Sequence, residues 1–286
     1  MVMQWTQSIE QSVEALELID HAEDLKRDGL TIVPPGKTGF SREDVEVARV
    51  ALLDAAEART GYRFNIDETP NETIRVKASA TAGERGAMTS EADRLGAQGY
   101  LVMVYMLAAH PIFRDLVTNP VVNTLHRYML GDEFRLTTSN GFVKWAHPEG
   151  SWGKYYGLHC DSPLVEPATA RFAANCNWFL TDCEADDGPL CYLPGTHLTG
   201  QHPHGNVSPE LLAQVRPVEA EAGSLVIFDS SMWHGSWPRT RDGLRLTTHT
   251  QRRVPLLAPL SDFSVISDEL IESSNDPDVM RMLCWR

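Results

Sequence analysis

Gly223-Ser-Leu-Val-Ile-Phe-Asp-Ser-Ser-Met-Trp-His-Gly-Ser236 carries an unbroken apolar run, Leu225 to Phe228, between a glycine and an Asp-Ser-Ser turn. Side chains alternate faces along a strand, so a run with no polar member fits a strand buried on both sides. Comparable segments flank it: EFRLTT (133–138), GFVKWA (141–146), ARFAANCNWFL (170–180), LCYLP (190–194) and LRLTTHTQR (244–252). Gly, Pro, Asp and Ser clusters separate them at the spacing of an all-β sandwich or barrel. The expected fold is mainly β with flanking helices, a double-sheet jelly roll over residues 132–253.

Further out, the period changes to that of helices. Ile9, Val13, Leu16, Ile19 and Leu25 mark a helix over Ser8–Arg27 that Asp28-Gly29 stops, and LTIVPPG after it reads as a short strand and turn. Ser41-Arg-Glu-Asp is a capping box opening a helix to about Ala58. Residues 60–87 have no period and read as a long loop of the kind that caps a pocket. Ser90–Ala109 is expected to be helical, and Pro111 and Pro120 punctuate two further helical pieces ending near Gly131. Residues 254–286 are expected to form a helical edge. No internal repeat interrupts this order, and one domain over 1–286 is expected, with residues 1–131 as mostly helical support.

With 42% hydrophobic and 22% charged residues, the 286-residue chain has an ordinary globular composition, which excludes disordered and fibrous classes. A net charge of −14 repels phosphate backbones and disfavours nucleic acid as a partner. The one basic cluster, Arg239, Arg241, Arg245, Arg252 and Arg253, is short and interleaved with apolar residues. The N-terminus lacks an export signal, and the longest apolar run, Tyr100–Ala109, is half a bilayer span. Five scattered cysteines without a C-x-x-C pair fit reduced thiols in a cytoplasmic protein. No membrane partner is expected, and a homodimer stays open.

The chemistry is carried by His159-Cys160-Asp161 and His234. Residues i and i+2 of a strand share a face, so His159 and Asp161 can grip one ion together. A histidine from a distant strand would complete a set of two imidazoles and one carboxylate. Such a set leaves adjacent coordination positions open, as non-haem Fe(II) oxygenases require. For His-x-Asp alone, a satisfied polar strand end is the plain alternative. Arg245 lies between Leu244 and Leu246, and a cation in an apolar strand needs an anion. A carboxylate ligand clamped by two parallel bonds would satisfy it, as would a buried salt bridge.

GLHCDS (157–162), DDGPLCYLPGTH (186–197), GSLVIFDSSMWHGS (223–236) and Arg245, with DGLTIVPPG near residue 28 and HPIFRDLVTNPVV before LGDEFRL, resemble the phytanoyl-CoA dioxygenase family of Fe(II)/2-oxoglutarate oxygenases. The likeness runs from about residue 24 to 253. It implies a double-stranded β-helix core, Fe(II) on His159, Asp161 and His234, and 2-oxoglutarate with its distal carboxylate on Arg245. It also implies O₂ as cosubstrate, with succinate and CO₂ released. Halogenating relatives replace the ligand carboxylate by a small residue, so Asp161 points instead to hydroxylation, desaturation or ring chemistry. Ser236 matches a position that often assists the cosubstrate.

Asn175 and Asn177 share a strand face where the family commonly has Gln or an aromatic, and a structural hydrogen-bond role is equally open to them. Thr247 shares the face of Arg245, and Lys144 precedes the first ligand on a strand where it can meet an anion. His197, His202 and His204 read as a solvated loop, and Cys160 as a packing residue. Trp145, Trp152, Trp178, Trp233 and Trp237, beside Tyr155 and Tyr156, divide between core and an apolar cavity. The preferred reading is an oxygenase of secondary metabolism acting on a small apolar or amphipathic metabolite. The alternatives are a non-catalytic jelly-roll binding protein, an acyl-CoA hydroxylase without a clear basic CoA site, and a nucleic-acid demethylase that the charge disfavours.

Overall fold

The computed structural model describes residues 8–70, 74, 99–146, 157–162, 170–204, 206–258, 260, 282 and 283. Among the described residues, nine strands form two antiparallel sheets. In chain order they are β1 (Leu30–Val33), β2 (Tyr100–Val104), β3 (Arg135–Trp145), β4 (Ala173–Phe179), β5 (Leu190–Tyr192), β6 (Arg216–Pro217), β7 (Leu225–Asp229), β8 (His234–Ser236) and β9 (Leu244–Arg253). The large sheet runs β1-β7-β4-β9-β3-β2 and the small one β6-β5-β8. This is the jelly roll expected from the strand spacing.

β7 shows why the run 225–228 is wholly apolar. Leu225 and Ile227 pack into the main core beneath the helices, while Val226 and Phe228 join a second cluster with Leu30, Phe179, Val218 and Met232 between the sheets. β4 and β9 alternate likewise: Trp178, Leu244 and Leu246 take the helix side, whereas Asn177, Phe179, Arg245, Thr247 and His249 line a cavity.

Helices α1 (Ile9–Ala15), α2 (Ile19–Asp28), α3 (Pro35–Thr38), α4 (Arg42–Thr60), α5 (Met106–Ala109), α6 (Ile112–Thr118), α7 (Pro120–Leu130) and α8 (Pro209–Leu212) surround the sheets. The helix expected over 8–27 is broken at Glu17, whose φ of 54° turns Leu18 into the core. Gly29 ends α2 in the left-handed conformation, and Ser41 and Asp44 form the reciprocal capping box of α4.

Two other expectations need correcting. Residues 100–104 are a strand, not part of a helix: paired with β3, they bury Leu101 and Met103 in the main core and turn Tyr100 and Val102 to a cavity; residues 90–98 of the expected helix lie outside the described residues. Segments 133–138 and 141–146 join into one strand, β3, whose irregularity falls between Leu136 and Thr138. Gly141 does not interrupt it: a Cβ there would lie 2.9 Å from Leu52 Cδ1 and 3.1 Å from Met106 Sδ, so its bare backbone lets α4 and α5 close on the sheet. Of the 60–87 loop, residues 61–70 and 74 are described and carry no helix or strand; the remainder lies outside the described residues, as do Trp152, Tyr155, Tyr156 and most of 254–286.

Candidate metal centre

The backbone brings the two histidines together first. His159 and His234 form an antiparallel bridge, with His159 N donating to His234 O at 2.8 Å and His234 N to His159 O at 2.9 Å. Asp161 N and Ser162 N then both donate to Ser230 O, at 2.8 and 3.0 Å. The His-x-Asp segment is therefore tied to the turn between β7 and β8 rather than lying in a long strand, a departure from the regular alternation expected.

His159 Nε2 stands 3.4 Å from Asp161 Oδ1, and His234 Nε2 stands 3.3 Å from Asp161 Oδ2. Each imidazole is fixed from behind: Nδ1–H of His159 donates to Gly157 O at 2.7 Å and that of His234 to Met232 O at 2.9 Å. With Nδ1 committed to a carbonyl two residues back, Nε2 of each ring is turned toward the carboxylate. Two such nitrogens and a carboxylate are the donors a divalent transition metal takes, and backbone carbonyls orienting the outer nitrogens are the usual support. Burial resists ionisation of Asp161, but the charge of His234 and hydrogen bonds from both imidazoles hold it well below the ordinary carboxylate range. Burial also opposes charge on His159, and the hydrogen bond and charge of Asp161 outweigh it, raising its pKa.

Asn175 and Asn177 separate in role. Buried Asn175 donates Nδ2–H to Asp161 Oδ2 at 2.9 Å, and its Oδ1 lies 3.3 Å from His249 Nε2. Asn177 lines the cavity instead, its buried Oδ1 lacking a hydrogen-bond partner among the described residues. Burial lowers the His249 pKa to about 4, leaving the ring neutral.

The cavity encloses about 450 Å³ between the sheets. At one end Lys144 and Arg245 stand side by side as register partners on β3 and β9. Both donate to the carbonyl of Gly188. Lys144 Nζ also bonds Ser236 Oγ at 2.6 Å and Trp237 O. Lys144 therefore spends its nitrogen on protein oxygens, whereas the buried Nε of Arg245 has no partner among the described residues. Burial lowers the pKa of Arg245, yet a guanidinium stays charged. Burial and neighbouring Arg245 bring Lys144 down to about 6. An orphaned donor on a buried cation is what a carboxylate ligand would satisfy. Thr247 also lines this cavity, and Tyr100, Phe142, Phe179 and Phe228 supply its aromatic surface. The described tryptophans do not: Trp145 and Trp178 belong to the main core, and Trp233 donates to Gln201 O.

Other candidate clusters resolve as structure. His197 is buried against Gly29 with Nε2 near Lys26 O, a packing role rather than the solvated one expected. Cys160 Sγ meets His202 Nδ1 at 2.7 Å. Glu184, Asp186 and Asp187 converge, but Arg241 reaches all three and Arg239 pairs with Asp187. The arginines do not form a basic surface, since Arg239, Arg245, Arg252 and Arg253 are buried. His249 and the Gly188 carbonyl were not singled out from sequence. Period 2 from Arg245 gave the only signal for His249, and a backbone acceptor gives none.

Among the described residues, no helix is long and apolar enough to cross a membrane. A dioxygenase of Aspergillus fumigatus, af480, is 27% identical over 262 residues, covering 88% of this chain and 82% of that protein. The ectoine dioxygenase of Bordetella bronchiseptica is 29% identical over 171 residues, covering 49% of this chain and 54% of its own length. The epimerase SnoN, solved with Fe3+, alpha ketoglutarate and nogalamycin RO, superposes with a TM-score of 0.58 at 18% identity, covering 90% of each chain. EctD from S. alaskensis with bound Fe gives 0.58 at 16% identity, covering 86% of this chain and 79% of that one. The model of the family Phytanoyl-CoA dioxygenase (PhyH) matches residues 45–246, a span that includes His159, Asp161, His234 and Arg245. The chain belongs to the phytanoyl-CoA dioxygenase family and is a 2-oxoglutarate-dependent non-haem iron dioxygenase.

Proposed function

We propose that this enzyme oxidises a C–H bond of a small apolar or amphipathic metabolite, by hydroxylation, desaturation or rearrangement, within secondary metabolism. His159, Asp161 and His234 would hold Fe(II), and Arg245 with Ser236 would hold the distal carboxylate of 2-oxoglutarate. When bound, metal and cosubstrate supply an oxidant from O₂, and 2-oxoglutarate leaves as succinate and CO₂. The observation that carries the reading is the pair of imidazoles whose Nδ1 atoms are tied to carbonyls, turning both Nε2 atoms toward Asp161.

The chain's own residues divide the remaining work. Lys144 anchors Ser236 Oγ beside Arg245, and Thr247 and Asn177 offer polar groups to the same cavity. Tyr100, Phe142, Phe179 and Phe228 exclude water and suit an apolar substrate surface. Among the described lining residues, charge is confined to the candidate metal ligands, Lys144 and Arg245, which supports a substrate without a strong charge. The relatives named for ectoine and the neighbour from nogalamycin biosynthesis support a small-molecule substrate. Free thiols at Cys160, Cys176, Cys183 and Cys191 support a cytoplasmic setting.

Succinate release, screened across candidate metabolites with Fe(II) and 2-oxoglutarate, tests the proposal. Removing one partner of a desolvated charge pair costs about 2–5 kcal/mol. Arg245→Gln is thus expected to raise the KM for 2-oxoglutarate tens-fold or more while Fe(II) affinity is unchanged. A protein that consumes no 2-oxoglutarate under any of these conditions overturns the reading in favour of a binding protein.

A further inference from the structure

A carboxylate can bind a cation through one oxygen or two, and the choice decides how many positions remain for a chelating cosubstrate and O₂. Asp161 is not free in that choice. Its Oδ2 accepts a hydrogen bond from Asn175 Nδ2 at 2.9 Å. A carboxylate offers only acceptors, so Asn175 must present its amide nitrogen there and its Oδ1 on the other side. That Oδ1 lies 3.3 Å from His249 Nε2 and can only accept, so the imidazole must carry its proton on Nε2. The strands enforce this order. Asn175 is fully buried on β4, and His249 sits on β9 opposite Asn177, one side-chain step along the same face. The His249 ring is held edge to face against Phe142, with centroids 6.1 Å apart.

We infer that Asn175 and His249 are positioning residues that commit one oxygen of Asp161 to the protein, so that the carboxylate serves the metal as a single ligand. The inference rests on the assignment of Asp161 as a ligand. Without the amide, Oδ2 is released and the carboxylate can take a second coordination position, in competition with 2-oxoglutarate. Without the His249 proton, the amide loses the partner that fixes which of its ends faces Asp161.

The test uses the full chain and two separate affinities: Co(II), followed by its d–d absorption, and 2-oxoglutarate, followed anaerobically by the visible band of its Fe(II) complex. In Asn175→Leu, Co(II) affinity is expected within about threefold of wild type, and the Kd for 2-oxoglutarate to rise tenfold or more. His249→Phe, which keeps the ring but loses the N–H, is expected to move the Kd for 2-oxoglutarate the same way. His249→Gln, which restores an N–H donor, is expected to return it to near wild type. A role in packing alone would not separate Phe from Gln. If both Asn175→Leu and His249→Phe bind 2-oxoglutarate within threefold of wild type, or if Gln is no better than Phe, the inference falls. Should Asn175→Leu fail to fold in thermal melts, the His249 pair decides alone. A wild-type protein that binds neither Co(II) nor Fe(II) removes the metal assignment itself, an outcome distinct from failure of the relay.

Discussion

At the residue scale, Lys144 is a buried amine whose charge its neighbours contest. Its Nζ meets Gly188 O, Ser236 Oγ and Trp237 O, so an ammonium has one acceptor for each proton. As a neutral amine it can still donate to both carbonyls and accept from the Ser236 hydroxyl. Burial and the Arg245 guanidinium favour the amine, with Arg239 adding to them; Cys183 and Cys191 oppose, and the result is a pKa of about 6. A carboxylate arriving beside Arg245 adds negative charge and must raise that value. Below about pH 6 the lysine is charged before and after binding, so no proton moves. Between the free and liganded pKa values, binding takes up a proton and affinity falls as pH rises. Calorimetry of 2-oxoglutarate binding in buffers of different ionisation enthalpy is expected to show net uptake at pH 7.5 and weaker binding at pH 9. The variant Lys144→Met should lose this contribution. Identical proton counts in both proteins would show that Lys144 does not respond to the cosubstrate.

At the scale of elements, Gly141 marks where helix and sheet meet. A side chain there runs into Leu52 and Met106, and overpacking of this kind costs about 1–3 kcal/mol. Gly141→Val is expected to lose stability by that amount in denaturant unfolding, and the loss should shrink in a Leu52→Ala background. Strict additivity of the two changes would contradict the close approach. Gly141 also shows how far sequence reasoning reaches. In a one-dimensional pattern, Ser139-Asn140-Gly141 looks like a break between strands; only a neighbour distant in sequence reveals it as a contact. Tyr100–Val104 failed for a related reason, since a uniformly apolar run has no period to choose between helix and strand. β7 was legible because its flanking Gly and Asp-Ser-Ser set its length, and α4 because Ser41 and Asp44 satisfy each other locally. At the site, His159 and Asp161 were legible from their i, i+2 spacing, His234 from its place after an apolar strand, and Arg245 as a cation between two leucines. Asn175 could be placed on a face but not given a partner. The Gly188 carbonyl, which receives both cations, has no side chain to read.

At the scale of the whole molecule, the candidate ligands join segments remote in sequence, so a bound ion would crosslink the segment between β3 and β4 to the start of β8. A ligand that binds only the folded state at a hundredfold excess over its Kd adds about 2.7 kcal/mol, or roughly 5 °C in Tm for a chain of this size. Mn(II), which withstands air, is expected to raise the Tm of wild type by that order and to leave Asp161→Ala nearly unmoved. Equal shifts in both would place the ion elsewhere. The large sheet carries another long-range tie. β1 is one of its two edge strands and, among the described residues, pairs with β7 alone, Leu30 facing Phe228 and Val33 facing Leu225, roughly 190 residues later. During synthesis at about 5–20 residues per second, that partner emerges on the order of 10–40 s after β1. Until then Leu30, Ile32 and Val33 wait without the strand that pairs their backbone in the finished sheet.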